Sequence, residues 1–340
     1  MIPTKRAHRV AAVLAVPALL LTACGSEDSG AADDSSAPSG PVATVSGDLG
    51  APPEITVDED AEIGEETVVE VVSEGDGAEV RDGDFVRVDV VGQVTTNQME
   101  LLNTWANTEQ TQGGGQADEG GEAPRQQFVV QVGAESMIPA PATAPLAGTT
   151  VGSRVQVEGS VTEMLGAGAV NAGFGEQDGV VWVFDIGGTV TVDAASHVEG
   201  EHAATADGMP EVTDQGDEAP AVTIPEGQDP PAELQEQVLI EGDGPEVTDG
   251  QGVIAQYVGL TWADGETFDS SWERGAASGF QIGTQSVVAG WDQGLAGKNV
   301  GDRVLLVIPP DLGYGDNESG NGAIPPGSTL VFVVDVIGVV

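Results

Sequence analysis

Two segments of the chain, far apart in sequence, share one pattern of alternating hydrophobic and polar residues. Residues 85–92 read FVRVDVVG and residues 252–259 read GVIAQYVG. This period-two pattern, rich in β-branched residues, predicts a β-strand in each segment. Each segment follows nearly the same turn-forming sequence, EGDGAEVRDG at 74–83 and EGDGPEVTDG at 241–250, an offset of 241 − 74 = 167 residues. The chain therefore contains an internal repeat.

The two copies stay in register toward their ends, at a smaller offset. Trp105 aligns with Trp272, LAGTTVGSRV (146–155) aligns with LAGKNVGDRV (295–304) at 295 − 146 = 149, and VVWVFDIG (180–187) aligns with LVFVVDVI (330–337) at 330 − 180 = 150. The first copy is thus longer by 167 − 149 = 18 residues, and the extra length falls in segment 107–126. Its Gly-rich, polar composition predicts an exposed loop insertion. We place the two copies at 64–193 and 232–340.

Each copy combines short strands and turn signals with little helix. In the second copy the turns are marked by Asp264-Gly265 and Pro326-Gly327, and one brief helical stretch is predicted near 290–296. This combination predicts an α+β fold, an antiparallel sheet packed on a short helix. Between the copies, segment 194–231 is acidic and rich in Pro and Gly, which predicts a linker. Its His197 and His202 could be metal ligands, but their spacing fits no standard motif and favours loop histidines.

The N-terminal segment has the pattern of an export signal. A basic start with Lys5, Arg6 and Arg9 is followed by a nearly uninterrupted apolar run of 14 residues at 10–23. A membrane-spanning helix needs about 20 apolar residues, so the run is typical of a signal-peptide core. Residues 21–24, LTAC, resemble the bacterial lipobox, which implies cleavage after residue 23 and lipidation of Cys24. We expect a flexible stalk over 24–63 and a chain anchored by lipid at the extracytoplasmic face of the cell membrane.

Composition excludes several classes of function. The chain has 56 Asp and Glu against 10 Lys and Arg, a formal net charge of -46, and removal of residues 1–23 would give 7 − 56 = -49. Such a charge disfavours nucleic-acid binding, which depends on neutralising phosphates. The single cysteine excludes an intramolecular disulfide and a Cys-rich metal site. We expect no metal, no nucleic-acid partner and a monomer.

Four motifs of the second copy resemble the FKBP-type peptidyl-prolyl cis-trans isomerases. They are QYVGLTWADGETFDSS (256–271), VVAGWDQGLAGKNVGDR (287–303), IPPDLGYG (308–315) and GAIPPGSTLVFVVDV (322–336), in the family's order and spacing. The resemblance implies two FKBP-like domains, each an antiparallel sheet wrapped on a short helix. It also implies rotation of the peptide bond before proline, whose barrier of about 18–20 kcal/mol arises from amide resonance. That rotation requires a slot that binds the twisted amide preferentially, and no cofactor.

The resemblance also implies the residues of the slot. Trp291 would form its floor, the backbone N–H of Val288 and the hydroxyl of Tyr314 would donate to the substrate, and Asp269 would orient bound groups. The walls would be formed by Tyr257, Phe268, Val287, Val288, Ile324 and Phe332. The implied partners are proline-containing exported polypeptides, with macrolides as possible ligands. The alternative is a non-catalytic FKBP-like lipoprotein that holds a partner or unfolded chains.

The resemblance is incomplete at three places. Where the family often has another aromatic residue, this chain has Ser278. Either the loop shifts so that Phe280 fills the slot in its place, or one wall of the slot is thinner than in the family. The polar loop 316–322 is about one residue longer than in the family. In the first copy the aligned positions are aliphatic or exchanged, which predicts a domain without isomerase activity. The exchanges are Tyr257 to Val90, Phe268 to Leu101, Asp269 to Leu102, Trp291 to Ala142, Tyr314 to Leu165 and Phe332 to Trp182.

Overall fold

Two six-stranded antiparallel sheets of the same topology form the chain's two main domains. The computed structural model describes residues 40–58, 63–64, 66–106, 125–175 and 178–340. The first sheet consists of β3 (Val68–Ser73), β4 (Phe85–Val94), β5 (Glu100–Asn103), β6 (Phe128–Gln131), β7 (Arg154–Ser160) and β8 (Gly179–Val190). The second consists of β11 (Gln235–Ile240), β12 (Gly252–Thr261), β13 (Thr267–Ser270), β14 (Ser278–Gln281), β15 (Arg303–Ile308) and β16 (Leu330–Val339).

The strand order is the same in both sheets. The first runs β3-β7-β8-β4-β5 with β6 paired to β4, and the second runs β11-β15-β16-β12-β13 with β14 paired to β12. The registers also agree: Val90 lies opposite Phe184 in the first sheet, and Tyr257 lies opposite Val334 in the second. The repeat predicted from the sequence is therefore a structural repeat, and the α+β class with two such domains is confirmed.

The helices are short and lie mostly on the inner faces of the sheets. They are α1 (Ala140–Thr143), α2 (Val161–Leu165), α3 (Gly168–Asn171), α4 (Ser271–Arg274) and α5 (Ala289–Leu295). The predicted helical stretch near 290–296 corresponds to α5, which packs its buried Trp291 and Leu295 against the second sheet. Within the described ranges, no helix is long and apolar enough to cross a membrane.

A β-hairpin covers the outer face of each sheet, and both hairpins correct the sequence prediction. Strands β1 (Ala43–Ser46) and β2 (Glu54–Val57) lie within the predicted stalk, and β9 (Glu211–Gln215) and β10 (Glu218–Thr223) lie within the predicted linker. The first hairpin packs Ala43 and Val45 on Val181 and Val183. The second packs Val212 and Val222 on the outer face of the second sheet. These strands are short, and the acidic, Gly- and Pro-rich residues around them led to the prediction of a stalk and a linker. The rest of the predicted stalk lies mostly outside the described residues, as do the predicted signal peptide and Cys24.

A buried arginine–aspartate pair lies under each hairpin. Arg154 Nε and Nη2 donate to the two carboxylate oxygens of Asp185 at 2.6 and 2.8 Å, and Arg303 bonds to Asp335 in the same way at the same distances. Each carboxylate also accepts a hydrogen bond from a backbone N–H: Gly50 donates to Asp185 at 2.9 Å and Val198 donates to Asp335 at 2.8 Å. Gly50 lies in the turn of the first hairpin and Val198 lies before the second, so the ion pair is repeated while the segment that donates to it differs.

The first hairpin is also held by side chains of β7. Arg154 donates to the carbonyl oxygens of Gly47 and Ala51 at 3.0 and 2.7 Å, and Glu158 accepts from the backbone N–H of Val42 and Ala43 at 2.7 and 2.9 Å. These polar side chains alternate with valines along β7 and are buried because the hairpin covers them. In the sequence, the alternation of Arg, Gln and Glu with valines along this strand could have indicated that another segment covers its outer face.

Arg303→Met is expected to destabilise the second domain strongly. It leaves the carboxylate of Asp335, whose side chain is 0% exposed, buried without its partner. Removing one member of a buried pair costs about 3–5 kcal/mol of unfolding free energy. Denaturant unfolding of the full chain measures this loss. The matched control is Lys298→Met, which removes an ion pair to the half-exposed Glu236 on the same sheet and is expected to cost less than about 1 kcal/mol. Equal losses in the two variants would contradict the assignment.

Candidate functional site

Five aromatic rings from five elements meet on the inner face of the second sheet. They are Tyr257 (β12), Phe268 (β13), Phe280 (β14), Trp291 (α5) and Phe332 (β16). The indole of Trp291 is central: its ring centroid lies 4.9 Å from Phe280, 5.3 Å from Phe332 and 5.5 Å from Tyr257, each with the rings steeply inclined. Edge-to-face packing of this kind fixes ring orientations beyond what burial alone does. The result is a rigid apolar floor with aromatic walls.

The rings fit together because Gly259 has no side chain. A Cβ at Gly259 would lie 2.7 Å from a carbon of Phe332 and 2.8 Å from one of Phe268, closer than real contacts allow. Phe268 and Phe332 can therefore meet over β12, with ring centroids 5.5 Å apart. The predicted alternatives for Ser278 are also resolved, since Phe280 itself lies against Tyr257 and Trp291.

A polar network lies at one edge of this aromatic cluster. The Tyr257 hydroxyl donates to Asp269 Oδ2 at 2.5 Å and accepts from Arg274 Nη2 at 2.7 Å, while Arg274 also pairs with Asp269. The guanidinium carbon of Arg274 lies 5.3 Å from the Tyr257 ring centroid. Burial first, and then the hydrogen bond to Asp269, raise the pKa of Tyr257 well above its ordinary value. The hydroxyl is thus a neutral, oriented group at the rim of an apolar slot.

Tyr314 and Ile324 come from the loop between β15 and β16. Ser319 and Ile324 exchange backbone hydrogen bonds of 3.0 and 3.1 Å, which closes the loop and holds Ile324 against the aromatic cluster. The loop turns through Asn321, whose φ of 54° is left-handed. Burial raises the pKa of Tyr314, and a hydrogen bond with Ser319 acts in the opposite direction. The longer loop therefore closes on itself and leaves both residues beside the slot.

Val287 and Val288 follow a tight loop that Asp292 holds from inside α5. The carboxylate of Asp292 accepts from the backbone N–H of Gly283 at 2.7 Å and of Gln285 at 2.9 Å. Burial raises the pKa of Asp292, with nearby Asp249 adding to the shift. Gln285 has a φ of 61°, a conformation that non-glycine residues adopt at a cost of about 1–2 kcal/mol. The Val287–Val288 wall is thus placed by hydrogen bonds to its preceding loop.

The structure brings all the residues predicted for the slot into this region, while Cys24 lies outside the described residues. Tyr257, Val288, Trp291, Ile324 and Phe332 are buried in one apolar cluster, and Phe268, Val287 and Tyr314 pack against it half-buried. Asp269 joins it through the Tyr257 hydroxyl. Arg274 was missed by sequence reasoning. Its signal was a rare basic residue, in an acidic chain, placed five positions after Asp269.

Comparison with known proteins assigns this region to a family. The family model of FKBP-type peptidyl-prolyl cis-trans isomerases matches residues 244–337. The chain is 48% identical over 122 residues to an FK506-binding protein of Streptomyces anulatus, covering 36% of this chain and 98% of that protein. The chain belongs to the FKBP-type isomerase family. It is also 41% identical over 120 residues to a probable FK506-binding protein of Corynebacterium glutamicum, covering 35% of this chain and 98% of the relative. The chain is also similar to the protein in the crystal structure of AtFKBP13, with 40% sequence identity and a TM-score of 0.29. The match covers 31% of this chain and 91% of the AtFKBP13 chain.

The FKBP-type motifs and the aromatic slot thus coincide in the second domain. In the first domain, strand register confirms which residues occupy the equivalent positions. Gly92 lies opposite Leu102 and Trp182, as Gly259 lies opposite Asp269 and Phe332. Trp182 is 2% exposed and stacks at 6.3 Å on Phe184. The first domain therefore keeps the sheet but has an aliphatic residue where the FKBP-type slot has its carboxylate. Most of its 107–126 insertion lies outside the described residues.

The two tyrosines of this FKBP-type slot are expected to ionise at a higher pH than an exposed tyrosine. They are the chain's only tyrosines, so tyrosinate absorbance in the near ultraviolet reports on the slot alone. Burial raises both pKa values, and the Asp269 charge further disfavours tyrosinate at Tyr257. Asp269→Asn should therefore lower the pKa of Tyr257, since the negative neighbour is lost while Arg274 stays.

An Asp269→Asn titration in a Tyr314→Phe background isolates Tyr257, and circular dichroism confirms that the chain remains folded. Either a normal tyrosine titration in the folded chain or no shift in Asp269→Asn would contradict the described network.

Proposed function

We propose that the second domain is a peptidyl-prolyl cis-trans isomerase that assists the folding of exported polypeptides at the outer face of the cell membrane. The observation that supports this most is the aromatic slot of Tyr257, Phe280, Trp291 and Phe332, with the Tyr257–Asp269–Arg274 network at its rim. An apolar slot with one polar edge suits a proline ring joined to a carbonyl group. Membership of the FKBP-type family supports the same reaction.

The chemistry follows from the amide itself. In the planar amide, resonance places charge on the carbonyl oxygen, and water stabilises that charge. In the twisted transition state the resonance is reduced and the carbonyl is less polar. A slot that seats the proline ring on Trp291 and excludes water therefore favours the twisted state over both planar states. Tyr314 and the backbone N–H of Val288 would hold the flanking carbonyls, and no bond to the enzyme needs to form.

The network at the rim gives the slot a fixed polar edge. Arg274 neutralises Asp269, and both orient the Tyr257 hydroxyl, so the edge carries dipoles without an isolated charge. The substrate class we propose is an extended proline-containing segment of an exported chain. Macrolides are proposed ligands as well, because relatives are named for binding FK506.

Catalysis is tested by cis/trans exchange of a Xaa-Pro peptide, measured by NMR with the full chain. Fast exchange is expected for the wild type. The double variant Asp269→Val, Tyr314→Phe removes two orienting groups, each contributing about 1 kcal/mol to transition-state binding. The value of kcat/KM should therefore fall about 30-fold. Trp182→Phe is the matched control, because it changes a buried aromatic residue at the equivalent face of the first domain and should leave the rate unchanged.

Two results would overturn the proposal in different ways. If the folded wild-type chain does not accelerate exchange, the slot is a binding site, and the alternative of a non-catalytic lipoprotein that holds partners is favoured. If Trp182→Phe reduces exchange as much as the double variant, turnover does not depend on the second-domain slot alone. The aliphatic residues at the first domain's slot positions, Val90, Leu101 and Leu102, would then need another explanation.

We further propose that lipid on Cys24 anchors the chain, on the basis of the signal-like segment 1–23 and the LTAC sequence at 21–24. The strongly acidic surface would be repelled by anionic lipids, so acyl chains would have to hold the protein. When the full chain is expressed in a lipoprotein-processing bacterium, it should partition into detergent, whereas Cys24→Ala should remain in the aqueous phase. Asp269→Val should partition like the wild type. Identical partitioning of wild type and Cys24→Ala would exclude the anchor.

A further inference from the structure

The two domains contact each other through equivalent strands, β6 and β14. Val129 of β6 is buried with Phe85 of its own domain and with Ile254 and Ala277 of the second. The approach is close: a Cβ at Gly279 of β14 would lie 2.4 Å from Val129 Cγ1 and 2.6 Å from the Val129 carbonyl oxygen. The departure from the family pattern at Ser278 thus lies next to a residue that must be small for the first domain to approach.

Polar contacts from the first domain reach the loop that precedes the Val287–Val288 wall. Gln126 Nε2 donates to the carbonyl oxygens of Thr284 and Gln285, both at 3.2 Å. Beside it, the backbone N–H of Gln127 donates at 2.7 Å to the side chain of Gln281, which is buried. The carbonyl groups of this loop are therefore held from the first domain, while Asp292 holds its N–H groups from within the second.

A second contact supports the opposite wall of the slot. The carbonyl oxygen of Ala194, just after the first domain, accepts from the backbone N–H of Ala277 at 2.7 Å and from Gln256 Nε2 at 3.0 Å. Through its other end Gln256 accepts from Ser271 Oγ at 2.5 Å, and that hydroxyl in turn accepts from the N–H of Tyr257 at 2.7 Å. Both sides of the slot are thus hydrogen-bonded to segments that belong to, or directly follow, the first domain.

We propose that Gln126 is a positioning residue for the isomerase slot, and that the first domain sets the slot's geometry without taking part in turnover. This inference rests on the proposed function. Gln285 has a left-handed conformation that needs outside support, and Gln126 supplies hydrogen bonds on the side that Asp292 does not reach. Loss of those bonds lets the loop relax and displaces Val287 and the N–H of Val288. Because these groups bind the planar and twisted substrate alike, the change falls on KM more than on kcat.

The test compares variants of the full chain by NMR exchange of a Xaa-Pro peptide at several concentrations. Gln126→Glu keeps the side chain's size but faces two carbonyl oxygens with an acceptor, and should raise KM about three- to tenfold with kcat within about twofold. Gln126→Lys restores a donor and should recover the wild-type KM. Gln131→Ala is the matched control, since Gln131 donates to Gly83 within the first domain, and should change neither constant.

Hydrogen exchange followed by mass spectrometry supplies a readout independent of activity. Gln126→Glu should increase exchange at 283–288 and leave β15 and β16 unchanged. Unchanged KM and unchanged exchange in Gln126→Glu would overturn the proposal, as would an equal effect of Gln131→Ala. If the wild-type chain has no isomerase activity, the proposed function fails. The exchange at 283–288 then still decides whether Gln126 positions the loop.

Discussion

The buried ion pair on the outer face of each sheet determines how the rest of the molecule is arranged. Arg303 and Asp335 have no exposed side-chain surface, and Arg154 with Asp185 is nearly as buried. A buried charge is tolerated only when its hydrogen-bonding groups are satisfied, so each pair requires a backbone segment lying across it. The first hairpin supplies that segment for Asp185 through Gly50, whereas Val198, which precedes the second hairpin, supplies it for Asp335. The two hairpins cover the outer faces of the sheets. The helix and the slot are consequently on the inner face, where alternate residues such as Tyr257 and Phe332 point.

Much of this arrangement could be predicted because it is local or repeated in the sequence. Alternation along 85–92 and 252–259 identifies the central strands, and the offset of 330 − 180 = 150 near the ends of the copies is enough to align Trp182 with Phe332. The slot residues could be named because four motifs occur in order over one domain. The hairpins could not be predicted in this way. Their strands are only four to six residues long, and what stabilises them is a face of the sheet distant in sequence.

The other residues that could not be predicted share one cause: their roles depend on tertiary contacts that the sequence alone does not reveal. Arg274 is identified as part of the site only when its guanidinium is seen against Tyr257 and Asp269. Gln126 has no recognisable motif and ends a Gly-rich polar insertion, so its contact with Thr284 and Gln285 follows only from the way β6 meets β14. The need for glycine at position 279 likewise becomes evident only in the structure, where Val129 leaves no room for a Cβ.

The contrast between the two domains separates the requirements of the fold from those of the slot's polar edge. Both retain the buried ion pair, the strand order and a glycine beneath the ring of Trp182 or Phe332. Only the second has the Tyr257 hydroxyl and the Asp269 carboxylate, so these groups are dispensable for the sheet. The first domain has instead kept an edge strand whose Val129 fits over Gly279, and a side chain, Gln126, that holds the carbonyls of its neighbour's loop. A repeat that lacks the polar groups of the other's slot can therefore still contribute to that slot's geometry.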